Sequence, residues 1–384
     1  MEPSPVKNIE EYFGDIKDFR VNRAKRHKLL DIIIIAVSAV ICEANTFEDI
    51  AEFGRSKLGW FKSFLELPNG IPSHDTFNRV FSLLDPVEFE RCFLLWADGL
   101  RQALGGYLIH IDGKTLRRSH DSAIGKTALK LVSAWASVNH LVLGQVKVAD
   151  GSNEITAIPD LLKVLALKGC IVTIDAIGTQ KEIVQVIREE EADYVLALKD
   201  NQGLLYEGVA ESFKEGLKTN FKDIAHDYWE SLDKDHGRIE TRKYWTIYDP
   251  DYLKYFDPEG VWQDLRSVGM VEAERIIKGE VSRERRYYIS SLSGEAKELG
   301  RAVRSHWGIE NSLHWVLDVD FGEDQSRVRK GHAAENFAML RRLAVNLIKQ
   351  EKTARHSVKG RRLKAAWDED YLLRVLTSMS APAS

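Results

Sequence analysis

Between Tyr107 and Lys199 the chain alternates short apolar runs, rich in β-branched residues, with segments of helical period. That alternation restricts the fold more than any bulk property. The strand candidates are "YLIHID" (107–112), "ALKLVSAWASV" (128–138), "LVLGQVKV" (141–148), "CIVTID" (170–175) and "DYVLALK" (193–199). A short Asn-His turn joins the second to the third. "ITAIPDLLKVLALKG" (155–169) and "TQKEIVQVIREEE" (179–191) intervene as helices. Three strands, then helix, strand, helix, strand call for a mixed sheet, its early strands antiparallel and its later ones parallel.

That order matches the ribonuclease H-like fold, so the fold class expected is α/β with a mixed sheet as catalytic core. Residues 1–98 read as an all-helical N-terminal domain. "HKLLDIIIIAVSAVIC" is a buried helix, Thr46 caps the next, and Ser73 caps a third before a turn at Asp85-Pro86. Such a succession can form a DNA-reading helix-turn-helix, although plain packing helices are the commoner outcome. Residues 99–370 form the core domain. Within it, from about 213 to 290, "HGRIETRKYWTIYD", "LRSVGMVEAERII" and "RRYYISSL" alternate like strands and read as a β-rich insertion or a β continuation. Helix resumes at Lys297, and 371–384 is a tail that frays.

Composition excludes several classes. The longest apolar run, Leu29 to Cys42, is too short for a bilayer, and no secretory signal opens the chain. Cys42, Cys92 and Cys170 lie far apart without CxxC spacing, which argues against a zinc knuckle and a disulfide framework and fits a reducing cytoplasm. The net charge of −4 conceals segregation. Lys17 to Lys28 is almost purely basic, and Arg327 to Lys364 carries twelve Lys or Arg against Glu335 and Glu351. Such patches can face phosphates, or can be solvated helix faces. No Gly-rich phosphate loop appears, so no nucleotide cofactor is expected.

Two strands end in acids. Leu108, His110 and Asp112 share one face of the first, and Ile171, Thr173 and Asp175 one face of the fourth. Ligands of open α/β sheets bind beyond the carboxyl ends of the strands. Two carboxylates there repel unless one is protonated or a divalent cation lies between them. Taken singly, Asp112 also suits an Asp-Gly hairpin turn and Asp175 a helix N-cap. A third acid comes from "VRSHWGIENSLHWVLDVDFGEDQSR". On a helix, Val303, His306, Trp307, Glu310, Leu313, His314 and Leu317 form one stripe, with Glu310 amid the face expected to be buried. A buried carboxylate needs an arginine, an amide or a metal. Three such acids suit two Mg²⁺ or Mn²⁺ ions.

"HIDGKTLRRSHD", "NEITAIPDLL", "IVTIDAIGTQKEI", "YVLALKDNQG", "HGRIETR" and "RSHWGIENSLHWVLDVDFGED" together resemble the ISAs-type insertion-sequence transposases, including the H-repeat-associated proteins. The N-terminal "GIPSHDTFNRVFSLLDPVEFERCFLLW" resembles the helical domain that accompanies their catalytic domain. The resemblance implies a DDE transposase: metal-dependent cleavage of element ends and strand transfer. Asp112 matches its first catalytic and metal-binding acid, Asp175 the second and Glu310 the third, with Asp112 bridging both ions. Broader relatives carry a Tyr-x2-Arg-x3-Glu-x6-Lys signature, where Val303, His306, Glu310 and Leu317 stand here. That departure leaves Asp318 and Asp324 as weaker third ligands, and His306 or Arg327 as substitutes in phosphate contact. Partners implied are double-stranded DNA, as terminal repeats and target, and a second copy in a homodimer. Lys114, Arg117, Arg118, Lys199, Asn201, Arg238, Arg242 and Arg329 are further candidates for DNA contact, and a packed histidine is the plainer reading of His110. A nuclease without strand transfer and an inactive or domesticated DNA-binding relic are the alternative functions.

Overall fold

The computed structural model describes residues 7–21, 25–104, 107–120, 127–235, 238–277 and 280–378. Among them, the first hundred residues hold helices α1 (Lys7–Phe13), α2 (Leu29–Ile41), α3 (Phe47–Ser56), α4 (Leu58–Phe61), α5 (His74–Leu83) and α6 (Pro86–Leu104). There follow β1 (Leu108–Thr115), β2 (Lys130–Ala136), β3 (Leu141–Lys147), α7 (Glu154–Val164), β4 (Ile171–Ile174), α8 (Lys181–Glu189) and β5 (Asp193–Leu198). Next come α9 (Gly203–Thr219), β6 (His226–Asp235), β7 (Arg238–Ile247), α10 (Pro250–Phe256), β8 (Ser267–Ile277), β9 (Glu280–Ser290) and α11 (Ala296–Ile309). Two π-helical turns, Glu310–His314 and Val316–Asp320, lead on to α12 (Ala333–Gln350), α13 (Val358–Trp367) and α14 (Glu369–Thr377).

The protein is a mixed α/β fold with strand order β3-β2-β1-β4-β5-β9-β8-β7-β6. It divides into two compact units: Met1–Gly105, Gly113–Gly151 and Glu310–Ser384 in one, Gly106–Asp112 and Ser152–Ile309 in the other. The chain passes between them after Gly105, within β1 after Asp112, after Gly151 and at the end of α11. Among the described residues no helix is long and apolar enough to cross a membrane.

In the first unit, α2 is apolar but for Asp31 and Ser38, and all of it except Leu30 is buried. A helix of that pattern belongs at the centre of a core, and α12 and α3 pack against it. Arg362 satisfies the carbonyls at its C-terminus, donating to Val40 at 2.9 Å and Ile41 at 3.3 Å while lying over the Phe321 ring. Thr46 and Asp49 form a reciprocal capping box on α3, and Ser73 caps α5. Phe47 stacks on Phe81 and meets Phe337 edge-on, which joins α3, α5 and α12. Asn346 of α12 pairs with β3: its amide donates to the Val142 carbonyl and accepts from the Val142 N–H, each at 2.8 Å.

Buried charge is the other feature of this unit. Glu323 and Arg342 are fully buried and bonded at 2.7 Å. Lys114, at the end of β1, reaches Glu323 at 3.2 Å and also bonds Asp318. Burial by itself would raise the Glu323 pKa, but Arg342, Lys114 and Arg341 outweigh it and hold the carboxyl down at about 2. Of the twelve basic residues between Arg327 and Lys364, Arg341, Arg342 and Arg362 are interior. The segment is therefore neither one continuous positive surface nor simply a set of solvated helix faces.

In the second unit, β1 and β4 pair in parallel, as do β4 and β5, while β5 pairs antiparallel with β9. Strands β6 to β9 form a long antiparallel ladder. The stretch read as an insertion over 213–290 thus begins as helix, since α9 runs to Thr219, and its strands extend the sheet itself through β9. β5 would otherwise expose an unpaired edge. Helix α11 covers this sheet with Ala296, Leu299, Ala302 and Val303, packed on Val195, Tyr244, Val271 and Tyr288. The tail also begins later than expected, because residues 371–377 belong to α14 and contribute Tyr371, Leu372, Val375 and Leu376 to the core; residues 379–384 lie outside the described ones.

Two stability measurements test this packing. Asn346→Leu leaves both Val142 backbone groups unpaired and should cost about 2–4 kcal/mol in urea unfolding, with an unchanged m-value. Glu323→Gln uncovers the Arg342 charge and should cost about 3–5 kcal/mol. Because the Glu323 pKa is depressed on folding, the stability it gives is full above about pH 4.3 and lost as pH falls towards 2. The variant should show a weaker fall of stability over that window.

Candidate active site at the ends of β1 and β4

β4 is the β-branched run Ile171–Ile174, and its parallel register with β1 sets Leu108 against Ile171, Ile109 against Val172, His110 against Thr173 and Ile111 against Ile174. The next residues are Asp112 and Asp175, so the two acids follow aligned strand positions. Neither takes its simpler structural role. β1 continues through Gly113 to Thr115, so no hairpin turn forms at Asp112. Asp175 occupies the N-cap position of the short turn Ala176–Gly178, but its carboxylate makes no capping hydrogen bond. Asp112 is half-buried and Asp175 exposed.

The loop after Asp175 is tied to the end of β5. Asn201 donates to the Ala176 carbonyl at 2.7 Å, Gln202 to Thr179 at 2.9 Å, and the Thr179 hydroxyl to Ala197 at 2.5 Å. Gly178 is required there, because a Cβ would stand 2.3 Å from the Ile174 side chain. Beneath the acids lie two histidines joined by one hydroxyl. Thr173 Oγ1 is 2.5 Å from His110 Nδ1 and 2.8 Å from His306 Nδ1. Burial lowers the His110 pKa to about 3, helped by His306. Burial also takes His306 down to about 4, with Asp175 opposing and Arg286 reinforcing. Both rings are neutral at ordinary pH.

Glu310 opens the π-helical turn directly after Ile309. Of the stripe expected to be buried, Leu313, His314 and Leu317 are buried, whereas Trp307 and Glu310 at its centre face outward. The Glu310 side chain is 64% exposed rather than buried. His314, four residues on, is buried with Nδ1 3.6 Å from Glu310 Oε2. The sequence reading set His314 on the helix stripe without assigning it chemistry; the Glu-x3-His spacing was the available signal. Lys349 Nζ donates to the Ser312 carbonyl at 2.6 Å and steadies the turn.

The alternative third acids are already matched with cations. Asp318 bonds Lys114, and Asp324 lies 3.3 Å from Arg117. Lys114 is itself buried between Asp318 and Glu323, which withdraws it from the DNA-contacting role expected of it. Arg242 is withdrawn likewise, held by Glu240 at 2.6 Å and Asp233 at 3.1 Å. Asn201 is occupied with the Ala176 carbonyl. Arg329 donates to the Arg118 carbonyl at 3.0 Å. The Arg117, Arg118, Lys199 and Arg327 side chains are exposed. The Arg238 side chain falls outside the described residues.

The family described as "DDE_Tnp_1-associated" matches residues 10–97, and the "Transposase DDE domain" matches residues 104–347. "Putative transposase YncI" of Escherichia coli O157:H7 is 41% identical over 98% of this chain and 96% of its own. "H repeat-associated putative transposase YhhI" of Escherichia coli K12 is 39% identical over 97% of this chain and 98% of its own. Among solved structures, the piggyBac transposase synaptic complex with hairpin DNA aligns with 100% of this chain and 80% of its own, at 12% identity and a TM-score of 0.40. The two family matches and the full-length relatives place this chain in the DDE transposase family, together with the H repeat-associated transposases.

Proposed function

We propose that the protein is a DNA transposase that cuts the ends of its insertion sequence and joins them to target DNA on a ribonuclease H-like core. The observation that carries this reading is the β1–β4 register, with Asp112 and Asp175 next after its last pair. The order β3-β2-β1-β4-β5, with β2–β3 antiparallel and β1, β4 and β5 parallel, supports the ribonuclease H-like assignment.

Glu310 is the third acid on this reading. His306 lies one turn before it and bonds Thr173, two residues before Asp175. The end of α11 therefore approaches the end of β4, and Glu310 is the next acid along it. Asp318 and Asp324 are less suitable because Lys114 and Arg117 neutralise them. Three carboxylates fit hard divalent cations, Mg²⁺ or Mn²⁺, and two ions held by Asp112, Asp175 and Glu310 suit the chemistry. Such ions, when bound, stabilise the attacking and leaving oxygens of an in-line phosphoryl displacement. His314 orients Glu310, as second partners of ligating carboxylates do. Water first attacks a phosphodiester at the element end and frees a 3′-OH; that hydroxyl then attacks target DNA. Lys199, Arg117, Arg118 and Arg327 hold backbone phosphates, and pairing two element ends calls for a dimer on DNA.

The test is a supercoiled plasmid carrying the native flanks of the coding sequence. Wild type with Mg²⁺ should yield cut ends and joined products, and EDTA should abolish both. Asp112→Asn should lower end cleavage at least about a hundredfold; full cleavage by this variant would refute the reading. Nicks without joined products would identify a nuclease, and equal DNA binding in EDTA with no nicks in Mn²⁺ a relic. In a separate titration, Lys199→Ala should reduce the slope of log affinity against log salt by about 1, whereas Arg242→Ala should leave it unchanged.

A further inference from the structure

The Thr173 hydroxyl has one proton, yet it lies between two imidazole nitrogens, His110 Nδ1 at 2.5 Å and His306 Nδ1 at 2.8 Å. A hydroxyl donates once and accepts up to twice. If both nitrogens donated to it, its own proton would be left without an acceptor in a site where Thr173 is 2% exposed. One ring therefore donates to Thr173 and the other accepts from it.

The surroundings of His110 decide which. Its Nε2 is buried and has no hydrogen-bond partner. Were His110 the acceptor at Nδ1, its proton would sit on Nε2, an orphaned buried N–H, the rarer kind of unsatisfied group. The favoured arrangement puts the proton on His110 Nδ1, donating to Thr173, which donates in turn to His306 Nδ1. His306 must then carry its own proton on Nε2.

We propose that His110 and Thr173 are positioning residues that lock His306 as the Nε2–H tautomer, so that it offers a fixed, uncharged donor to a phosphate oxygen of DNA near Asp175. His306 Nδ1 bonds Thr173, two residues before Asp175, so the ring lies near the end of β4. A neutral donor suits this position, because it adds no charge to compete with cations for the carboxylates. The phosphate part of the proposal rests on the transposase reading; the tautomer lock does not.

The experiment is long-range ¹H–¹⁵N correlation of the histidine side chains in the full chain, labelled at histidine, with His306→Gln used to assign the His306 signals. Without DNA or metal, wild type should show His306 protonated at Nε2 alone. Thr173→Val keeps the β-branched shape and removes the hydroxyl, so it should give a mixture of the two His306 tautomers, and Thr173→Ser should restore the single form. A wild-type His306 protonated at Nδ1, or a Thr173→Val spectrum unchanged at His306, would overturn the lock; the first of these stands even if the valine variant does not fold. In the end-cleavage assay, Thr173→Val should lower kcat about tenfold at unchanged KM, with rescue by serine. A locked tautomer with no kcat loss in Thr173→Val would overturn the phosphate contact alone. Wild type that cleaves no DNA would instead refute the transposase reading and with it the phosphate contact, while the spectra still decide the lock.

Discussion

The pairing of β1 with β4 is the constraint on which the candidate site depends. Side chains alternate along a strand with period 2, so a slip of one residue would send one of the two acids to the opposite face. The slip is prevented by Ile109 and Ile111 on β1 and Val172 and Ile174 on β4, all buried. The same register sets His110 against Thr173 and makes their hydrogen bond possible. Apolar packing on one side of the strands thus fixes polar geometry on the other.

A second organising force is interior charge. Lys114 stands two residues beyond Asp112 on the same strand, and Glu323 and Arg342 complete a network with it and Asp318. This network anchors the far half of β1 and uses up acids and bases that composition alone would assign to metal or DNA. Arg362 does comparable work at the end of α2, where a cation is spent on backbone carbonyls and an aromatic ring. Basic residues in this chain are as much interior fittings as surface ones.

The strand runs, Thr46, Ser73 and the paired acids were legible in the sequence because each is governed by local pattern: β-branching, a hydroxyl before a helical run, an acid closing an apolar strand. The fate of Lys114 was not, since its partners depend on tertiary contacts; Asp318 lies 204 residues away. Arg242 differs, because Glu240 stands two residues before it on the same strand face. The exposure of Glu310 was hidden for a different reason. A helical wheel marks which residues share a stripe but not how far the packing covers it, and here Trp307 and Glu310 stay outside. The extension of the sheet by β6 to β9 was half visible: alternation revealed strands but not the edge they would join.

Asn346 has a consequence beyond the stability of its own contacts. β3 is the outermost strand at its end of the sheet, and Val142, its second residue, has both backbone groups taken by the asparagine amide. A strand from a neighbouring molecule cannot add there without first displacing that amide. One side chain thus acts as a guard against edge-to-edge aggregation.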